Sequence, residues 1–246
     1  MNRRPVLPET WNCPQIFRDR LGSDAGHQRT MVHDGHLLLI LHAPPRSGEI
    51  QRQGRLFWRQ PNGDWMSTEK GGLSALKLHL QEFQEILLEL EKREEIAEGS
   101  ADYFPLLEDL APLQRTLTHL HNSLQEARKA ISSDKDLINL RDQSYQLVRS
   151  VELCQTSAKN GLEYTMAKKT EEQAAAAHQM ALAAHRLNLL AGFFFPLVTI
   201  ATIFSMPLIP IPAEHSHTLF YLIMGIGLVS GILLTAFVST RKPKRD

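Results

Sequence analysis

Cysteine is nearly absent: Cys13 and Cys154 are the only two in 246 residues. Their contexts are unrelated, so the sequence offers no disulfide framework and no metal-ligand spacing, and a reducing compartment fits. Net charge is lacking too, since 27 Lys+Arg against 27 Asp+Glu leaves a formal value of +0. No global field draws such a chain to nucleic acid. Met1-Asn2-Arg3-Arg4-Pro5 has no apolar run behind it and does not read as a cleaved export signal. The sequence has no Gly-rich phosphate loop, no nucleophile beside a general base and no metalloprotease spacing. Neither enzyme activity nor a cofactor is expected.

The most informative deficit is local. Between Arg186 and Arg241 there is no Lys or Arg, and the one carboxylate is Glu214. Two apolar runs fill this window. Leu187–Ile209 is 23 residues and Leu219–Val238 is 20, both without charge. A bilayer core of ~30 Å needs about 20 apolar helical residues. Both are expected to be transmembrane helices. The nine residues 210–218 join them as a tight outer loop, so the spans form an antiparallel hairpin. Lys168, Lys169 and Arg186 precede the first span, Arg241, Lys242, Lys244 and Arg245 follow the second, and the loop has no basic residue. Positive residues stay inside, which puts both termini in the cytoplasm of a multi-pass inner (cytoplasmic) membrane protein. Pro196 is expected to kink the first span. Gly227 and Gly231 form a Gly-x-x-x-Gly pair with Gly225 nearby. Either they permit close helix approach or they reflect the ordinary glycine content of membrane helices.

The expected fold is a small α+β cytoplasmic domain with a long stalk helix, followed by a two-helix transmembrane hairpin, and predominantly α. Residues 1–70 read as the small domain. Leu37–His42 suits a buried strand, and Arg55–Arg59 and Asp64–Met66 flank Pro61-Asn62-Gly63, a hairpin signal. Ile16–Leu21 suits a short helix. Residues 71–131 read as two helices, the first from Leu73 to about Glu98, ended by Gly99, the second from about Phe104 to Ile131, with a break near Pro112. Ser132-Ser133-Asp134 supplies cap residues for a stalk over 132–186. No Pro and only Gly161 interrupts Ser133 to the first span. A continuous helix from Ser133 to Met206 would hold 74 residues and reach about 110 Å at ~1.5 Å per residue. It needs partners. Leu137, Leu140, Ser144, Leu147, Val151, Cys154, Ala158 and Leu162 form a heptad-like stripe that suggests a coiled coil. Ala174–Ala177, Ala181, Ala183 and Ala184 are small enough for several helices to gather around one axis.

Phe194-Phe195-Pro196-Leu197-Val198-Thr199-Ile200-Ala201-Thr202-Ile203-Phe204, then Met224-Gly225, the basic tail 239–246, and Asn139-Leu140-Arg141-Asp142 with Ala158–Leu162 resemble the CorA-type divalent-cation transporter family. The resemblance covers about residues 130–246. It implies a homopentamer in a lipid bilayer, with the first span lining a pore for passive movement of Mg2+ or another divalent metal cation. The family's Gly-Met-Asn filter corresponds to Ser205, Met206 and Pro207, so the amide oxygens are replaced. Helical spacing back from Ser205 gives Thr202, Thr199 or Val198, Phe195, Ala191, and Leu187 or Asn188 as pore-lining positions. Thr202 and Ser205 would form hydroxyl rings, and Leu187 and Phe195 apolar constrictions. Alternatively the hydroxyls bond their own helix backbone. Glu214, His215 and His217 are either an outer-mouth metal cluster or a solvated loop. His178 and His185, seven apart, are either pH-sensitive rings or packing residues. The rival function is a membrane-anchored, non-conducting scaffold or regulatory protein on the same architecture. A soluble coiled coil would leave both apolar runs exposed.

Overall fold

The computed structural model describes residues 7–22, 24–45, 53–205 and 216–240. The chain forms two compact units, Met1–Ala167 and Lys168–Asp246.

The first unit contains a four-stranded antiparallel meander in the order β1-β2-β3-β4. The strands are β1 Arg29–His33, β2 His36–His42, β3 Gly54–Arg59 and β4 Trp65–Ser67. Asp34-Gly35, with φ of 47° and 76°, makes the β1–β2 turn. Both central residues take the left-handed region, which Asp and Gly tolerate best. That Asp-Gly is the signal for β1, a strand beyond those expected from the sequence. The anticipated hairpin at Pro61-Asn62-Gly63 pairs Trp58 with Met66 and Arg59 with Trp65.

Strand β2 is apolar on both faces because the sheet is covered on both. Leu37, Leu39 and Leu41 enter one core with Phe57 and the helices. Leu38 and Ile40 enter a second core with Met31, Leu56, Trp58, Trp11 and Phe17. Phe17 comes from the short helix α1, Gln15–Asp19. Alternate residues of a strand point to opposite faces, so a two-sided sheet erases the polar alternation of a half-exposed one.

Helix α2 spans Leu73–Glu95 and buries Leu76, Leu80, Phe83, Leu87 and Leu90 on one stripe. Leu78 falls off that stripe and is exposed. The helix stops before Gly99, which instead opens α3, Ser100–Ala130. There the Asp102 carboxylate accepts the Gly99 amide at 3.0 Å and the Glu98 amide at 3.2 Å. Helix α3 carries Pro105 and Pro112 without a break. A proline deletes one i−4 bond, and here burial of Leu106, Leu110, Leu113, Leu117, Leu120 and Leu124 on the flanking turns holds the helix together.

Helix α4 spans Lys135–Ser205. The Asp134 carboxylate accepts the amides of Asp136 and Leu137 at 2.9 and 3.2 Å, an N-cap. Its other oxygen takes a 2.6 Å bond from Arg59 Nε, tying the start of α4 to β3. The heptad-like stripe has a different partner from the one its spacing suggested. Leu137, Leu140, Leu147, Val151, Cys154 and Ala158 are buried in the same core as α2 and α3. The stripe is consumed within the chain, as one side of a helical layer under the sheet. Gly161 is needed there, because a Cβ at that position would lie 2.5 Å from the Tyr103 ring.

The second unit holds the remainder of α4 and helix α5, Ser216–Thr240. Among the described residues, α4 is the one helix with a stretch long and apolar enough to cross a membrane, and none of that stretch is buried within the chain. In α5 the 20-residue uncharged run Leu219–Val238 lies wholly within the helix.

Candidate functional site

Within the second unit, α5 rests on α4 through its glycines. A Cβ on Gly227 would come within 2.9 Å of Leu197 Cδ1, and one on Gly231 within 2.9 Å of the Phe193 carbonyl oxygen. Gly225 has nothing within 4 Å. Numbers rise on α5 as they fall on α4, so the two helices run antiparallel. The Gly-x-x-x-Gly pair therefore is a close-approach seam. What the sequence did not identify is the other half of that seam, the Phe193–Leu197 stretch.

The contact fixes which face of α4 is left over. One residue of a helix advances ~100°. Phe193, Pro196, Leu197 and Ile200 cluster on the α5 side and are partly covered. Asn188, Ala191, Phe195, Thr199 and Thr202 fall roughly opposite. Of these, Asn188, Phe195, Thr199 and Thr202 are exposed and Ala191 is half-buried. Phe195 is 70% and Leu187 66% exposed. The positions singled out by spacing thus share the face that α5 leaves uncovered. Thr199 Oγ1 donates to the Phe195 carbonyl and Thr202 Oγ1 to the Val198 carbonyl, each at 2.7 Å. The hydroxyl hydrogens are committed to the helix.

The remaining candidate residues are less informative. Met206, Pro207, Glu214 and His215 lie outside the described residues, and for Ser205 and His217 only the helical backbone is described. His178 and His185 are exposed on a stretch of α4 in which residues 168–188 are all exposed. Among the described residues no group of three or more His, Cys, Asp or Glu is placed to hold a metal ion.

Titratable groups are buried in the first unit instead. His79 has no exposed surface. Its Nδ1 lies 3.0 Å from Arg55 Nη1, which also bonds Glu82 at 2.7 Å. Burial first, then Arg55, then His42, brings His79 down to about 3, so it is neutral at physiological pH. Burial also lowers His121, which bonds Ser144 Oγ at 2.9 Å. Burial, with Glu94 and Glu91 behind it, pushes the Cys154 thiol up to about 11. Such a thiol is a packing residue with little thiolate.

No protein-family model matches the sequence, and no curated protein does. Solved structures do. The CorA magnesium transporter from Methanocaldococcus jannaschii is 15% identical, with 89% of this chain and 80% of that one covered at a TM-score of 0.47. The full-length CmaX protein is 12% identical, with 94% of this chain and 83% of that one covered at a TM-score of 0.56. The likeness to CmaX carries the comparison, and at such identity it concerns the fold alone. The chain has a CorA-type fold.

Proposed function

We propose that the chain is one subunit of a CorA-like membrane channel in which copies of α4 surround a path for Mg2+ or a transition-metal cation. The observation that carries the proposal is the uncovered face of α4 opposite the α5 seam, which holds the hydroxyl, amide and apolar side chains a pore lining needs.

Two features support it. Phe194, Phe195, Val198, Phe220, Tyr221 and Leu233 are each more than half exposed on α4 and α5. A contiguous apolar surface of this kind belongs in lipid or against other helices. With α5 as the second span, the hairpin crosses the inner membrane twice and keeps both termini cytoplasmic. Residues 168–188 expose an alanine-rich surface with Met180 72% exposed. A helix this exposed is marginal alone and calls for other copies of itself around it, five subunits in all as the family resemblance implies.

The chemistry follows from hydration. Magnesium sheds its water reluctantly, so a pore meets it as a hydrate whose waters point hydrogens outward. Rings of acceptors suit such an ion. A threonine whose hydrogen is already donated to Phe195 or Val198 offers its oxygen as an acceptor, so the backbone bond and the pore role are compatible. Leu187 and Phe195 would make the apolar constrictions that close by dewetting.

Release of Mg2+, Co2+, Ni2+ or Zn2+ from liposomes holding the purified protein tests the proposal; flux no greater than from empty liposomes refutes it. The second reading, a non-conducting scaffold, is favoured by Ser205, Met206 and Pro207 standing where the family has Gly-Met-Asn. Replacing Ser205→Gly and Pro207→Asn together raises flux if that end of α4 is the filter. A mass in detergent of five copies supports the channel, and of one copy opposes it.

A further inference from the structure

We infer that Gly231, seconded by Gly227, is a positioning residue that fixes the rotation of α4 and so decides which side chains face the ion path; this rests on the pore reading above. The two glycines bear on α4 differently. At Gly231 the obstructing atom is backbone, the Phe193 carbonyl oxygen at 2.9 Å, with Phe193 Cδ2 at 3.1 Å. An added methyl there must move the helix itself. At Gly227 it is the end of the flexible Leu197 side chain, also at 2.9 Å, which can swing aside.

The contact also coincides with the weak point of α4. Pro196 lies between Phe193 and Leu197 and offers no N–H to the Gly192 carbonyl, so α4 yields most easily there. On the α5 side, Ser230 and Thr235 donate hydroxyls to the carbonyls of Gly227 and Gly231 at 2.9 and 2.7 Å. These side-chain bonds add a second hydrogen bond at each glycine. A push at Gly231 therefore displaces α4 and carries Phe195, Thr199 and Thr202 out of register on the far face.

The test uses full-length protein in liposomes with Cys13→Ser and Cys154→Ala as background. Copies carrying Phe195→Cys are oxidised to cross-link across the central axis, alone and with Gly231→Ala, Gly227→Ala or Gly225→Ala. Variants that bias such an element shift its readout by about two- to thirtyfold. We expect cross-linking and ion flux to fall about tenfold with Gly231→Ala, to fall about twofold with Gly227→Ala, and to hold with Gly225→Ala. Should Gly231→Ala fail to assemble, Gly227→Ala with Leu197→Ala decides: the paired change restores the Phe195→Cys cross-link if steric register is the cause. Equal cross-linking in the Gly231→Ala and Gly225→Ala chains overturns the inference, as does a paired change that restores nothing. Graded cross-linking without flux in any chain, the unaltered protein included, supports the inference and refutes the pore reading. Flux with ungraded cross-linking does the reverse.

Discussion

Helix α4 offers its own control experiment, because its two portions solve the same burial problem differently. From Leu137 to Ala158 it presents an apolar stripe that the chain itself covers with α2 and α3. From residue 168 to 188 every position is exposed. The first portion is therefore covered within the chain, while the second is the surface that the proposed assembly would cover. Stability should respond to changes in the first, and assembly to changes in the second.

The strongest test of that division is Asp134→Ala. Asp134 and Arg59 keep only 11% and 13% of their side chains exposed. Removing the carboxylate strips the α4 cap and strands the guanidinium, costing about 3–5 kcal/mol. Urea denaturation should show this as an early loss of the first unit's near-UV signal; a midpoint shift worth under ~1 kcal/mol would mean the pair is solvated.

Gly161→Ala comes next. Its Cβ would meet the Tyr103 ring, whose hydroxyl is held by the Ala97 carbonyl at 2.9 Å. Overpacking of this kind costs about 1–3 kcal/mol, readable in the same denaturation curves. Gly192→Ala, with open space around it, should leave those curves in place.

Acid provides a graded probe. His79 is held near 3 in the fold against an ordinary 6.5. The unfolded chain therefore binds a proton the folded chain refuses. The stabilising difference is intact above pH 6.5 and is lost as pH falls toward about 3, at up to ~1.4 kcal/mol per pH unit. His79→Phe should flatten the dependence of the melting midpoint between pH 6.5 and 5. An unchanged slope would assign it to other groups.

The smallest effect on stability belongs to the exposed portion. Ala177→Glu should leave the first unit's unfolding within about 0.5 kcal/mol of the original. Yet it should reduce the oligomer fraction seen by light scattering in detergent. Loss of the first unit's stability instead would break the division drawn along α4.

Much of the architecture was legible because it follows from local composition. Leu37–His42, the Asn62-Gly63 turn, the α2 stripe and the uninterrupted α4 all carry their signal within a few turns of chain. The ends of α2 and α3 were less so. Gly99 reads as a stop, but Asp102 three residues on turns it into a start, and burial on both sides of Pro112 outweighs one missing bond. The candidate face of α4 was found by spacing alone, without knowledge of what covers the other side.

Hydropathy and periodicity determined by themselves that this chain has long helices, a small sheet and an apolar C-terminal region, since these depend on which side chains are adjacent along the backbone. The partner of each face was decided only by tertiary structure. Leu140 carries no mark distinguishing α2 and α3 from another copy of α4, and Gly231 none naming Phe193. Such pairings join residues far apart in sequence, where shape and distance select among surfaces that are equally apolar.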